Sequence, residues 1–144
     1  MQTFLPFPDI ETSLQVLDYR RLGKQRIEAR QILDVLVNPS SPSRRWINHP
    51  AVHMWRGHET GLAVYYNACL AEWIGRGYQN RMPSITTLHG QRLPQPADVI
   101  WPSWFGNAAF HQAQQSNLIR KYPEHYRPHF PGVPVNLPYI WPKP

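Results

Sequence analysis

The chain has 144 residues, a length that is typical of one domain with a sizeable core and too short for two. Hydrophobic residues make up 42% and charged residues 17%, a composition that excludes a disordered chain. The net charge of +6 favours an anionic partner, while the single cysteine, Cys69, excludes a disulfide framework and a cysteine-based zinc finger. No apolar run is long enough for a membrane span and no signal-peptide layout is present, so we expect a cytoplasmic monomer.

The first half of the chain favours helices. Prolines at 6 and 8 predict an extended N-terminal leader, since a residue that precedes proline avoids the helical region. Thr12 or Ser13 can cap a first helix that runs to about Val37 and ends at Asn38-Pro39. After a polar loop over residues 39–45, apolar residues at helical spacing predict a second helix from about residue 48 to Gly75.

The second half is rich in proline and has weak strand signals. Eleven of the sixteen prolines lie from Pro83 onward, and residues 82–103 are predicted as loop. A third helix is predicted from Asn107 to Tyr122, and residues 126–144 are expected to lie extended over the helices. We therefore predict an all-α fold, a single compact domain over residues 1–144 with three main helices, an extended leader and a tail rich in proline and aromatic residues.

Four polar residues of the first helix interrupt its apolar face. Asp18, Arg21, Gln25 and Glu28 follow a helical spacing that places them among the apolar side chains, where an unpaired charge is costly. Either they satisfy one another, Asp18 with Arg21 and Gln25 with Glu28, or they line a cleft that receives a substrate. A partly desolvated carboxylate in a cleft is suited to proton transfer, so Glu28 is the catalytic candidate.

The histidines and arginines give weaker signals. His49 and His53 have the spacing of a helical chelate, but no third ligand is indicated, so capping or hydrogen bonding is the favoured role and no metal is predicted. The densest basic cluster, on the first helix and at Arg44-Arg45, is the best candidate for phosphate contacts.

Leu17 and Leu22 precede Glu28 by eleven and six residues. The same intervals separate two leucines from the catalytic glutamate of the pyrimidine-dimer DNA glycosylase family, which includes the phage endonuclease V-like enzymes, and the first helix resembles that of this family. Similar segments are Trp46 to Pro50, Trp73 to Tyr78 and the stretch from His111 to Phe130. The opening Met-Gln-Thr-Phe-Leu-Pro and the closing Leu-Pro-Tyr-Ile-Trp-Pro are similar to those of a bacterial and phage subfamily.

The resemblance implies a DNA glycosylase with associated AP lyase activity that acts on double-stranded DNA without metal or cofactor. In the family, the N-terminal amine attacks C1′ of the damaged nucleotide and forms a Schiff base, and the glutamate acts as acid and base. The implied catalytic groups are the amine of Met1 and the carboxyl group of Glu28. The predicted DNA contacts are Arg21, Lys24, Gln25, Arg26, Arg30, Arg44, Arg45, Asn48, His49, His111, Arg120 and Lys121.

Three departures from the family bear on the substrate. Gln2 is large, so Met1 is expected to be retained as the first residue. Ile27 and Gln31 stand where the family has arginines, and the leader is longer than in the phage enzyme. These differences leave a pyrimidine dimer or a chemically modified pyrimidine as the expected lesion. A DNA-binding module without catalysis and a protein-interaction domain are the alternative functions.

Overall fold

The computed structural model describes residues 1–144 and is dominated by helices, as predicted. A leader (residues 1–9) precedes the first helix. The helices are α1 (Ile10–Gln15), α2 (Tyr19–Val37), α3 (Pro50–His53), α4 (Glu59–Gly75), α5 (Ala108–Lys121) and α6 (Pro123–Tyr126). The three long ones, α2, α4 and α5, correspond to the three main helices expected from the sequence.

The first predicted helix is in fact two helices, α1 and α2, so its predicted continuity was wrong. Arg76 donates hydrogen bonds to the carbonyl oxygens of Leu14 (2.9 Å) and Leu17 (2.8 Å), which a continuous helix would bond to backbone N–H groups. Asp18 then caps α2, since its side chain accepts from the Arg21 amide. Long-range partners thus replace the hydrogen bonds that an uninterrupted helix would make.

The second predicted helix is also interrupted, between α3 and α4. His49 caps α3, with Pro50 in the first turn as expected. The carbonyl oxygen of Met54 accepts from the Trp104 indole at 2.8 Å, and Gly57 adopts a φ of +82° that ends the helical path. The Met54 carbonyl oxygen thus accepts from the Trp104 indole, whereas in a continuous helix it would accept from a backbone N–H group.

The last part of the chain follows the prediction more closely. Asn107 caps α5 by accepting from the Phe110 amide at 3.0 Å, and α5 ends before Pro123. The expected loop contains only a small antiparallel hairpin, β1 (Thr87–Leu88) with β2 (Gln91–Arg92), and a 3-10 turn. The short helix α6 was not predicted, whereas residues 131–144 are irregular, as expected.

The core forms one cluster that extends from the leader to Phe130. Helices α2 and α4 pack closely because Gly23 has no side chain: a Cβ there would lie 3.1 Å from the Trp73 ring. Aromatic residues make up 12% of the chain, and part of that content is structural, because Trp55 and Tyr66 are fully buried in the core. No helix is long and apolar enough to cross a bilayer.

Candidate active site

A cleft of about 930 Å³ opens beside the leader, the first half of α2 and the end of α5. Its basic side chains are Arg20, Arg21, Lys24, Arg76 and Lys121, and its carboxylates are Asp18 and Glu28. Five cations against two anions give the cleft a positive field, which attracts a phosphate backbone. Met1 and Gln2 also line this cleft, so the chain's first residues lie in its basic part.

The leader is held between α2 and α5. On the α2 side, the Phe4 amide donates to Gln25 Oε1 at 2.9 Å. On the α5 side, the Leu5 amide donates to Gln114 Oε1 at 3.0 Å, and His111 Nδ1 lies 2.7 Å from the Leu5 carbonyl oxygen. These side chains replace the strand partners that an extended segment would otherwise need, so residues 3–5 are buried in a fixed path.

Glu28 faces the start of the leader. Its Oε2 accepts from the Gln2 amide at 3.2 Å and from Gln25 Nε2 at 3.3 Å. Its Oε1 has no hydrogen-bond partner in the protein and is not among the buried unpartnered atoms, so it remains open to the cleft. One carboxylate oxygen is therefore held by the protein, and the other is free to act on a bound molecule.

His49 lies near the same group of charges. Its Nδ1 accepts from the Ala51 amide at 3.0 Å, which leaves the proton of the neutral ring on Nε2. Burial lowers the pKa of His49, and the nearby positive charge of the Met1 amine lowers it further, while the Glu28 carboxylate opposes the shift. The capping role expected for this histidine is thus confirmed, at a position within electrostatic reach of Met1 and Glu28.

One wall of the cleft rests on a buried carboxylate–phenol pair. Tyr126 donates a short hydrogen bond to Asp18, the Asp18 amide donates back to the Tyr126 hydroxyl at 3.0 Å, and Arg21 lies 3.1 Å from the same carboxylate. Burial of Asp18 works to raise its pKa, but the hydrogen bonds from Tyr126 and Arg21 outweigh that effect and hold the pKa below its usual value. The pair fixes the junction of α1 and α2 against α6.

Tyr126→Phe is expected to lower the free energy of unfolding by about 1–3 kcal/mol at neutral pH, because it removes a buried hydrogen bond to a charged group. Chemical denaturation measures this loss. Tyr122→Phe is the matched control, since the neighbouring tyrosine is exposed and its hydroxyl bonds nothing in the protein. Equal stability of the two variants would contradict the role assigned to the pair.

The same pair predicts how stability depends on pH. The folded-state pKa of Asp18 is lowered, so its contribution is fully present above the unfolded-state value of about 3.9 and is lost as pH falls through the folded-state pKa. We expect the unfolding free energy of the wild type to fall below about pH 4 and that of Tyr126→Phe to fall less over the same range. A parallel decrease in both proteins would show that other carboxylates are responsible.

The row of four polar residues predicted on the first helix does line the cleft. The pairing interpretation is confirmed, because Arg21 pairs with Asp18 and Gln25 bonds Glu28. All four residues also border the cleft, and the use of this cleft by a substrate stays a prediction. Three of the predicted DNA contacts are cationic side chains that line the cleft: Arg21, Lys24 and Lys121.

Two of the predicted DNA contacts have buried side chains that bond the leader. Gln25 is fully buried and His111 is 3% exposed, so both side chains are used inside the protein. His111 Nε2 accepts from the Gly106 amide at 2.9 Å, which leaves its Nδ1 proton for the Leu5 carbonyl oxygen. Their role is to hold the leader.

The other predicted contacts lie outside the cleft and stay predictions. Arg26 lies 4.2 Å above the Trp73 ring, and Arg30 lies over Tyr66, so neither replaces the family arginines in the cleft. Arg44 donates to the Val35 carbonyl oxygen, and Arg45 lies over the Trp46 ring. The remaining predicted contacts outside the cleft wall are Asn48, which is exposed, His49, and Arg120, which bonds Ser116.

Several cleft residues were not predicted. Arg20 was not among the predicted contacts, and Tyr19 beside it is 49% exposed at the cleft. Tyr122, between α5 and α6, and His125 of α6 also line the cleft, with ring centroids 5.6 Å apart. Nothing in the sequence places Arg76 here, because its contacts with α1 are long-range.

The cysteine thiol and the potential metal ligands do not form a second candidate site. Cys69 is buried, and burial raises the pKa of its thiol, which makes the sulfur a poor nucleophile. No group of three His, Cys, Asp or Glu side chains is close enough to share a metal ion.

Residues 1–86 match the family model described as pyrimidine dimer DNA glycosylase. The matched part includes the leader, Glu28 on α2 and the whole of α4, whereas the α5 and α6 walls of the cleft lie beyond it. No curated protein and no solved structure gives a significant match. Since the matched residues make up more than half of the sequence, the chain belongs to the pyrimidine dimer DNA glycosylase family of DNA repair proteins.

Proposed function

We propose that the chain is a DNA glycosylase with AP lyase activity, which removes a damaged or modified pyrimidine from double-stranded DNA. The nucleophile is the N-terminal amine of Met1, and Glu28 is the acid–base group. The protein acts as a monomer and needs no metal or cofactor.

One observation carries this proposal: the leader runs back onto α2 so that the Gln2 amide lies 3.2 Å from the Glu28 carboxylate. The amine is one residue further along the same path, at the wall of a basic cleft. An α-amine in its neutral form is a nucleophile that can form an imine with a sugar aldehyde. A carboxylate beside it stabilises the cation that forms in the reaction.

The proposed reaction uses these two groups in sequence. The neutral amine attacks C1′, the glycosidic bond breaks with its electron pair going to the base, and a proton lost by the amine nitrogen neutralises the base. The nitrogen lone pair then breaks the bond between C1′ and O4′, O4′ takes up a proton from solvent, and an iminium ion forms between the amine nitrogen and C1′. Glu28 Oε1 accepts the C2′ proton, the electrons of that bond expel the 3′ phosphate, and the strand is cut by β-elimination.

The lesion itself is a pyrimidine dimer or another altered pyrimidine. Ile27, next to Glu28, is 56% exposed, and Arg26 and Arg30 contact aromatic rings instead of the cleft. The phosphate contacts on this side of Glu28 therefore differ from those that the family arginines would make. Such a change alters how the damaged duplex is held without affecting the chemistry at the sugar.

Borohydride trapping tests the proposal. The protein is mixed with DNA that contains an abasic site, with UV-irradiated DNA and with DNA that contains modified pyrimidines, and borohydride reduces any imine to a stable adduct. We expect an adduct on the abasic DNA and on one of the lesions, with the added mass on the peptide that begins at Met1. Absence of any adduct, when mass spectrometry shows a free N-terminus, would disprove the Schiff-base mechanism.

Lys24→Ala is expected to weaken DNA binding and to reduce the log–log salt slope by about 0.9, the contribution of one phosphate contact. Lys24 is exposed at the cleft, so its ammonium group is free to meet a phosphate. Titrations of affinity against salt concentration measure the slope. Lys143→Ala, the same change in the exposed tail, should leave the slope unchanged, and an equal effect of both variants would show that the cleft is not the binding surface.

A further inference from the structure

We propose that Gln25 is the positioning residue that sets the N-terminal amine against Glu28. The inference rests on the proposed function, because it concerns the amine and the carboxylate that this function uses. It gives Gln25 a role inside the protein, in place of the DNA contact that was expected from the sequence.

The amide group of Gln25 bonds both the residue that follows the amine and the catalytic carboxylate. Its Nε2 donates to the carbonyl oxygen of Gln2 at 3.1 Å and to Glu28 Oε2 at 3.3 Å. An amide nitrogen has two hydrogens, so one is directed at the residue next to the amine and the other at the catalytic carboxylate. The distance between nucleophile and acid–base group is thus set through one planar side-chain group.

The orientation of this amide is determined by its other end. Gln25 Oε1 accepts from the Phe4 amide at 2.9 Å and from the Tyr65 hydroxyl at 2.6 Å. Reversing the amide would direct its NH₂ group at the Phe4 N–H, so only one orientation satisfies the leader. Tyr65 also lies 2.9 Å from the Phe4 carbonyl oxygen, and this ties its hydroxyl to both the leader and Gln25.

Burial makes the arrangement rigid. Gln25 and Tyr65 are both fully buried, and all of the polar atoms of Gln25 are hydrogen-bonded, so moving the side chain would leave buried groups unpaired. Gln25 bonds the leader at Gln2 and at Phe4, on both sides of Thr3. The Thr3 hydroxyl itself accepts from the Trp55 indole at 3.0 Å. The first two residues therefore have little freedom to move away from Glu28.

Gln25→Met tests the inference, because it keeps the length and volume of the side chain and removes its hydrogen bonds. The matched control is Gln114→Met. Gln114 is also buried and bonds the leader, at Leu5, but it does not contact Glu28. Both variants thus lose a buried amide that holds the leader, and only one loses the contact with the catalytic pair.

Three quantities are measured for each variant: the melting temperature, the dissociation constant for DNA with an abasic site, and the single-turnover rate of borohydride trapping. We expect both variants to melt at a lower temperature and to bind DNA like the wild type. Trapping by Gln25→Met should be slower by about 10²-fold, a loss typical of a small misplacement of reacting groups. Gln114→Met should trap at close to the wild-type rate.

Equal trapping rates for the wild type and Gln25→Met would overturn the inference, and so would an equal loss in both variants. If Gln25→Met does not fold, Tyr65→Phe replaces it, since it removes only the hydroxyl that orients the amide. That variant should also trap more slowly with unchanged DNA affinity, and an unchanged rate would again reject the positioning role. Absence of trapping by the wild type would instead reject the proposed function, so the two failures are distinct.

Discussion

Glu28→Gln is expected to lower the rate of strand cleavage at an abasic site by about 10²- to 10⁴-fold, the usual contribution of a positioned acid–base group. The replacement keeps an oxygen that can accept from Gln2 and Gln25, so the leader should stay in place. It removes the group that takes the C2′ proton and the negative charge that stabilises the iminium ion. Single-turnover cleavage of abasic DNA measures the effect, and DNA affinity should change little.

Glu11→Gln provides the control for this experiment. Glu11 is an exposed glutamate in the first turn of α1, and it lies outside the cleft. The variant should cleave like the wild type. If Glu28→Gln cleaved abasic DNA as fast as the wild type, Glu28 would not be the acid–base group. If both proteins bound DNA equally and neither cleaved it, the chain would be a DNA-binding module that retains the scaffold of the family without its catalysis.

Adding one glycine ahead of Met1 is expected to slow trapping by about 10²-fold or more, because it moves the amine by up to about 3.5 Å along the chain. The leader cannot compensate by sliding, since residues 3–5 are buried and hydrogen-bonded on both sides. Acetylation of the original amine should abolish the adduct, because an amide nitrogen does not form an imine. The extended and acetylated proteins are compared with the unmodified protein on the same abasic DNA.

Two lysines supply the competing explanation. Lys24 and Lys121 also line the cleft, and either side chain could form an imine with an abasic sugar. Lys24→Arg and Lys121→Arg retain the charge without a primary amine, and we expect both to form the adduct at Met1. An adduct located on a lysine, or an extended chain that reacts as fast as the original, would show that Met1 is not the nucleophile.

The sequence predicts those features that depend on local chemistry. Asn107 is a capping residue directly ahead of a helical pattern, and α5 begins there. Likewise, the spacing of Asp18 and Glu28 on the apolar face indicated either mutual pairing or a cleft, because polar groups on such a face need a partner or a substrate. The structure has the pairing, at the edge of a cleft.

The features that were missed depend on residues far apart in the chain. The break at Asp18 is stabilised by Arg76 and Tyr126, which lie 59 residues from Leu17 and 108 residues from Asp18. The helical periodicity of the sequence does not indicate contacts between residues so far apart in the chain. Gln25 is a similar case: its position on the helix was predicted, but its partners in the leader were not, so it was assigned to the DNA instead of the interior.

The contacts between the leader and α5 have a consequence for the order of folding. Leu5 bonds Gln114 and His111, which lie 109 and 106 residues further along the chain. The leader is synthesised first, but it cannot form these hydrogen bonds until α5 has been synthesised. Until α5 has been synthesised and has packed, the amine is on a mobile chain end with no fixed relation to Glu28. Packing of α5 against the leader would thus be the event that brings the amine into its fixed position beside Glu28.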